Sequence, residues 1–119
     1  MKKTLVLGAS KRQNSYANLA LHHLAELGIE SIGIGLEEGE VADIPIVTGT
    51  PMLDDIHTIT VYLNPKRQAP LLEYIISLHP NRIIFNPGTE NPAIYPKLRN
   101  AGIEVEIACT LVLLATDQY

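Results

Sequence analysis

The sequence predicts an α/β domain of Rossmann-like architecture, a doubly wound, mostly parallel sheet of five or six strands with helices on both faces. Three observations carry this expectation. Short β-branched apolar runs alternate with helix-periodic segments along all 119 residues. The first of these runs, the helix after it and the next run form a β-α-β unit. With one Phe and no Trp, the core must be built from Ile, Leu, Val and Ala, as buried parallel strands prefer.

The elements follow in order. Thr4-Leu5-Val6-Leu7-Gly8 is an apolar run entered from two lysines and stopped by glycine, a buried strand. From Asn14 to Leu27, the residues Ala17, Ala20, Leu21, Leu24 and Leu27 share one helix face. Asn14 or Ser15 caps its start, and Gly28 stands where a C-terminal glycine belongs. Ile29 to Gly35 is the second strand, reached by a right-handed crossover. Leu36 to Asp43 is acidic and reads as a loop, and Ile44 to Val47 as a short strand that Pro45 assigns to a sheet edge. Met52 to Ile56 has room for one helical turn before the strand Thr58 to Leu63. Pro65 and Pro70 bracket a loop, and Pro70 opens a helix running to Leu78. After the strand Arg82 to Asn86, Asn91-Pro92 supplies a cap and a first-turn proline for a helix reaching Ala101-Gly102, its start distorted by Pro96. Ile103 to Ala108 is the last strand, and Leu111 to Leu114 is an apolar tail that should pack. No repeat or linker interrupts the pattern, so residues 1–119 read as one domain.

Composition excludes several function classes. A formal net charge of −4 leaves no basic field to gather nucleic acid or an anionic membrane. A lone cysteine excludes an internal disulfide and fits a reducing compartment. The apolar stretch Leu5 to Leu7 behind Met1-Lys2-Lys3 is far too short for a signal peptide, and no apolar run reaches the roughly 18 residues of a membrane span. A cytoplasmic protein is expected.

Ligands of such sheets bind beyond the carboxyl ends of the strands, where the strand order reverses. The first strand is followed by Gly8-Ala9-Ser10-Lys11-Arg12-Gln13-Asn14-Ser15-Tyr16. A glycine there lets backbone amides approach an anion, and the helix start adds free N–H groups and a positive dipole end. The dinucleotide fingerprint is present only in part, because Ser10 and Gln13 occupy its second and third glycine positions. Asn64-Pro65-Lys66-Arg67-Gln68 and Asn86-Pro87-Gly88-Thr89 follow the strands at 58–63 and 82–86. Four of the nine Lys and Arg residues, Lys11, Arg12, Lys66 and Arg67, fall in the loops flanking the predicted switch point. An acidic chain that gathers cations at its crevice suits an anionic ligand.

In order and spacing, these segments resemble the small CoA-binding-domain proteins, relatives of the nucleotide-binding domain of the succinyl-CoA synthetase α-subunit, over nearly the whole chain. The likeness rests on Gly8-Ala9-Ser10 with Asn14-Ser15-Tyr16, Asn64 to Arg67, Asn86-Pro87-Gly88, the Ala101-Gly102-Ile103 turn and Cys109. It implies that coenzyme A, or an acyl-CoA, is the ligand. It further implies that Gly8, Ala9, Ser10, Lys11, Arg12, Asn14, Ser15 and Tyr16 hold the CoA diphosphate. Asn64, Pro65, Lys66, Arg67, Asn86, Pro87 and Gly88 would then line the rest of the nucleotide. The chain departs from its relatives at Gly33-Ile34-Gly35-Leu36-Glu37-Glu38, where they commonly end the second strand in a Val-Asn-Pro turn, and at Ile107-Ala108, where many have Asp-Arg.

Catalytic groups are scarce. Cys109 lies at the end of the last predicted strand with no charge beside it and reads as an unreactive, partly buried thiol. His22 and His23 read as a solvated helix face, and His57, His79 and the pair Asp54-Asp55 fall at the opposite end of the sheet from the crevice. Tyr16 and Tyr62 belong to the core or to the crevice edge. Relatives that make or cleave CoA thioesters depend on further domains, including a phosphohistidine segment and an ATP-grasp unit, so a binding module without catalysis or metal is expected here. An NAD(P)-binding protein is the alternative, supported by Glu37 or Glu38 at the end of the second strand. The remaining reading is a structural or interaction protein with a vestigial site, homodimeric if the Leu111 to Leu114 tail is exposed.

Overall fold

In the computed structural model, which describes residues 2–119, the chain forms one seven-stranded sheet. Its elements are β1 (Thr4–Ala9), α1 (Tyr16–Glu26), β2 (Ser31–Gly35), β3 (Gly39–Val41), β4 (Ile44–Val47), β5 (Thr58–Val61), α2 (Pro65–Gln68), α3 (Leu72–Ser77), β6 (Arg82–Phe85), α4 (Tyr95–Asn100), β7 (Glu104–Ile107) and α5 (Thr110–Ala115). The strand order is β3-β4-β2-β1-β5-β6-β7, and only the β3–β4 pair is antiparallel. The chain therefore winds outward from β1 through β2 to the hairpin, returns, and winds the other way through β5, β6 and β7. The order reverses beside β1, as in doubly wound sheets.

Alternation along β1 divides the core between the two faces. Leu5 and Leu7 join Ile59, Val61, Ile83 and Phe85 under Ile75 of α3 and Leu98 of α4. Val6 faces the other way, toward Ala17, Leu21 and Leu24 of α1, Leu114 of α5, and Ile44 and Ile46 of β4. On this second face, beyond β1, the interior turns polar. Thr4, Thr58, Thr60 and Arg82 are all buried there, and the Thr60 and Thr110 hydroxyls bond at 2.7 Å. Arg82 donates to Thr58 Oγ1 (2.9 Å), Glu106 Oε2 (3.3 Å) and the Tyr119 carbonyl (2.7 Å), with its guanidinium 4.5 Å from the Tyr119 ring centroid.

The structure corrects four expectations. The sheet has seven strands instead of five or six, because the acidic segment read as a loop contains β3. A two-residue turn at Ala42 and Asp43, with φ of +52° and +66°, folds β3 onto β4 in the pattern of a type I′ hairpin. For the same reason Pro45 is not at an edge. Val41 and Ile44 close the turn as the hydrogen-bonded pair, which leaves Glu40 and Pro45 a pair that needs no N–H, and the ladder to β2 registers from Ile46. Met52 to Ile56 forms no helical turn, since Asp55 takes φ +60° and only Ile56 is buried. Finally, Pro65 opens a helical turn rather than a loop. Asn64 caps it, accepting from Arg67 N at 3.0 Å, and Pro70 lies in the 3₁₀ turn that joins α2 to α3. The apolar tail is the helix α5, with Thr110 and Leu114 buried.

Candidate functional site

A cleft of about 1050 Å³ opens at the carboxyl ends of β1, β2 and β5, on the switch point. That is ample room for a nucleotide. The loop after β1 is pinched between its neighbours. Gly8 takes φ +99°, and a Cβ there would lie 3.0 Å from the Tyr62 carbonyl carbon and from Leu63 Cδ2. The register against β2 shifts between Leu7 and Ala9, and a Cβ on Gly35 would come within 2.3 Å of the Ala9 oxygen. Only glycine permits both approaches.

Beyond Gly8 the loop is held by its own polar groups. Ser10 Oγ accepts from Arg12 N (3.0 Å), and the buried Asn18 donates from Nδ2 to the Ser10 carbonyl (3.0 Å). Ser15 caps α1 by accepting from Asn18 N (3.1 Å) and donates to the Arg12 carbonyl (2.9 Å). Lys11 lies along Gly39 and pairs with Glu37 at 3.6 Å across the mouth of the cleft. Among the described residues, Arg12, Lys66 and Arg67 form no ion pair and stay exposed at the cleft. Leu36, Leu63 and Leu71 add apolar lining, and Tyr62 lines the cleft as well. Among the described residues the buried Tyr62 hydroxyl has no hydrogen-bond partner, and burial pushes its pKa up to about 12.

Of the predicted site residues, Gly8, Ala9, Ser10, Lys11, Arg12, Asn64, Lys66 and Arg67 line this one cleft. Asn14, Ser15, Tyr16, Pro65, Asn86, Pro87 and Gly88 do not. Tyr16 is 72% exposed at the start of α1, and Pro65 opens α2. Asn86 is buried and fully engaged, donating to Thr60 Oγ1 (2.7 Å) and the Val61 carbonyl (2.8 Å) while accepting from Thr110 N (2.8 Å). Gly88 takes φ +91° in the next turn. Sequence reasoning missed Gly49 and Thr50, which enter the cleft from the end of β4, and the apolar lining. The signal for Gly49-Thr50 was their place after a parallel strand, hidden by reading that strand as an edge.

The remaining candidates lie elsewhere. Cys109 precedes α5 beyond the edge strand β7 and does not line the cleft. His22 and His23 are exposed on α1. His57 and His79 line a smaller cavity, about 400 Å³, with Asp55 and Asn81. No group of three His, Cys, Asp or Glu residues among the described ones is arranged for a metal, and no helix among them is long and apolar enough to cross a membrane.

Comparison with known proteins bears on the family and the fold. The family model described as a CoA binding domain matches residues 2–115. No curated protein matches the chain. Among solved structures, the crystal structure of an uncharacterized protein is 44% identical, covers 100% of this chain and 98% of its own, and superposes with a TM-score of 0.95. A Thermus thermophilus protein (22% identity, 99% and 90% coverage, TM-score 0.86) shares the fold. So does a hypothetical protein from Pyrococcus horikoshii OT3 (22% identity, 94% and 81% coverage, TM-score 0.80).

Proposed function

The chain belongs to the CoA-binding-domain family, and on that premise we propose that it is a binding module that takes coenzyme A or an acyl-CoA in the strand-end cleft, without catalysis of its own. The observation that carries this reading is the cleft's charge. Among the described residues Arg12, Lys66 and Arg67 line it without ion-pair partners, in a chain whose net charge is −4. They stand around a glycine loop, Gly8 to Lys11, whose backbone a diphosphate can approach closely. The apolar lining from Leu36, Leu63 and Leu71 suits an adenine ring or the pantetheine arm. Glu37 favours a second reading, an NAD-type dinucleotide, since a carboxylate at this strand end can bond a ribose hydroxyl. Its pairing with Lys11 draws it away from that role.

Thermal stabilisation by CoA, acetyl-CoA, NAD, NADP and ATP separates these readings. Ligand at about 100 times its dissociation constant adds roughly 2.7 kcal/mol, several degrees in a domain of this size. CoA or acetyl-CoA should shift the melting temperature, and Arg67→Ala should cut the shift. A shift by NAD alone, lost in Glu37→Gln, establishes the second reading. No shift with any of the five overturns both and points to an interaction protein with a vestigial cleft.

A further inference from the structure

We propose that Gln68 is the positioning residue of the cleft's basic turn, setting where Lys66 and Arg67 stand against an anionic ligand; this rests on the ligand reading above. Gln68 ends α2 and is wholly buried. A buried carboxamide is costly unless its bonds are made, and this one makes three. Nε2 gives its two protons to the carbonyls of Leu63 (2.8 Å) and Thr89 (2.7 Å), and Oε1 accepts from Asn91 Nδ2 (3.0 Å). One bond thus returns to the end of β5, and two cross to the loop after β6. The far side of that loop is itself anchored. Thr89 bonds the Asn86 carbonyl through both its amide (2.9 Å) and its hydroxyl (2.7 Å), and Asn86 is bound to β5 and to the head of α5.

A four-residue helical turn with one side-chain cap has little stability of its own. The side chains of Lys66 and Arg67 form no ion pair with any described residue, so the backbone beneath them sets the reach of their charges. Gln68 is the buried side chain that ties that backbone to the strand ends, in addition to the 3₁₀ turn that leads into α3. A ligand meeting a turn already in place spends less of its binding energy on ordering it.

The test compares Gln68→Met, which keeps the volume and removes all three bonds, with Asn91→Ala, a partly exposed site that removes one. Gln68→Met should weaken CoA binding about tenfold and flatten its salt dependence as Arg67→Ala does, because the same charges lose their place. Asn91→Ala should do both to a smaller extent, and it carries the test if Gln68→Met does not fold. Added to Arg67→Ala, Gln68→Met should cost less than it does alone. Leu114→Ala, which loses core packing on α5, should leave affinity and salt slope unchanged. Wild-type affinity and salt slope in both Gln68→Met and Asn91→Ala would overturn the proposal. If the native protein binds no CoA, the ligand reading fails first, and amide hydrogen exchange decides this one. Exchange at Arg67 and Gln68 should then accelerate in the variants with β1 unaffected, and unchanged exchange there would sink it.

Discussion

At Gly8 the backbone takes φ +99°, and the space where a Cβ would stand is already filled by the end of β5. Alanine there meets both a disfavoured conformation and a contact at 3.0 Å with backbone that cannot move aside. Gly8→Ala is expected to cost about 1–3 kcal/mol in denaturant unfolding and to weaken ligand binding in the same cleft. An alanine variant with unchanged stability would mean that the β1 and β5 ends do not approach as described. The glycine was legible in the sequence because it closes an apolar run. The partners that make it necessary, Tyr62 and Leu63, were not, being more than fifty residues away. The same limit hid the true work of Asn86, whose side chain is spent on Thr60, Val61 and Thr110 rather than on the cleft.

Among the elements, the β3–β4 hairpin departs most from what local rules favour. Its turn places Ala42, a residue with a Cβ and no polar side chain, at φ +52°. Type I′ turns prefer Asn or Gly at that position, so Ala42→Asn should raise stability by about 0.5–1 kcal/mol in a urea or thermal melt. A loss would show that the turn is not of this type. The absence of Asn-Gly is also why the hairpin escaped the sequence reading. By contrast Asn64-Pro65 carried the same cap-and-proline signature as Asn91-Pro92, yet the first makes the side-chain cap and the second does not; Asn91 turns its amide to Gln68. Local signatures propose caps, and competition with tertiary partners selects among them.

For the molecule as a whole, the polar half of the second face links stability to pH. Arg82 Nε donates into Thr58 Oγ1, and the same hydroxyl is hydrogen-bonded to His57 Nδ1 at 2.8 Å. Burial, with Arg82 and Lys2 nearby and Glu104 opposing them, holds His57 below its ordinary pKa of 6.5. A depressed imidazole binds fewer protons in the folded state than in the unfolded one. Its contribution is therefore complete above pH 6.5 and is lost as the pH falls toward the folded value. Denaturant midpoints should drop as the pH falls below the ordinary imidazole value of 6.5, and His57→Gln should flatten that slope. An equal slope in the variant would assign the pH dependence to other groups.

By itself the sequence determined the α/β class, the places of most strands and helices, and the gathering of cations after β1 and β5. Each of these is written in contiguous residues as periodicity, glycine stops and charge. Only the tertiary structure decided that Lys11 is paired with Glu37, that Pro45 lies inside the sheet, and that Gln68 joins two strand-end loops. It also decided which half of the predicted site residues share one cleft. These outcomes depend on which side chains meet across strands distant in sequence, where a buried donor takes the nearest free acceptor whatever its own segment favours.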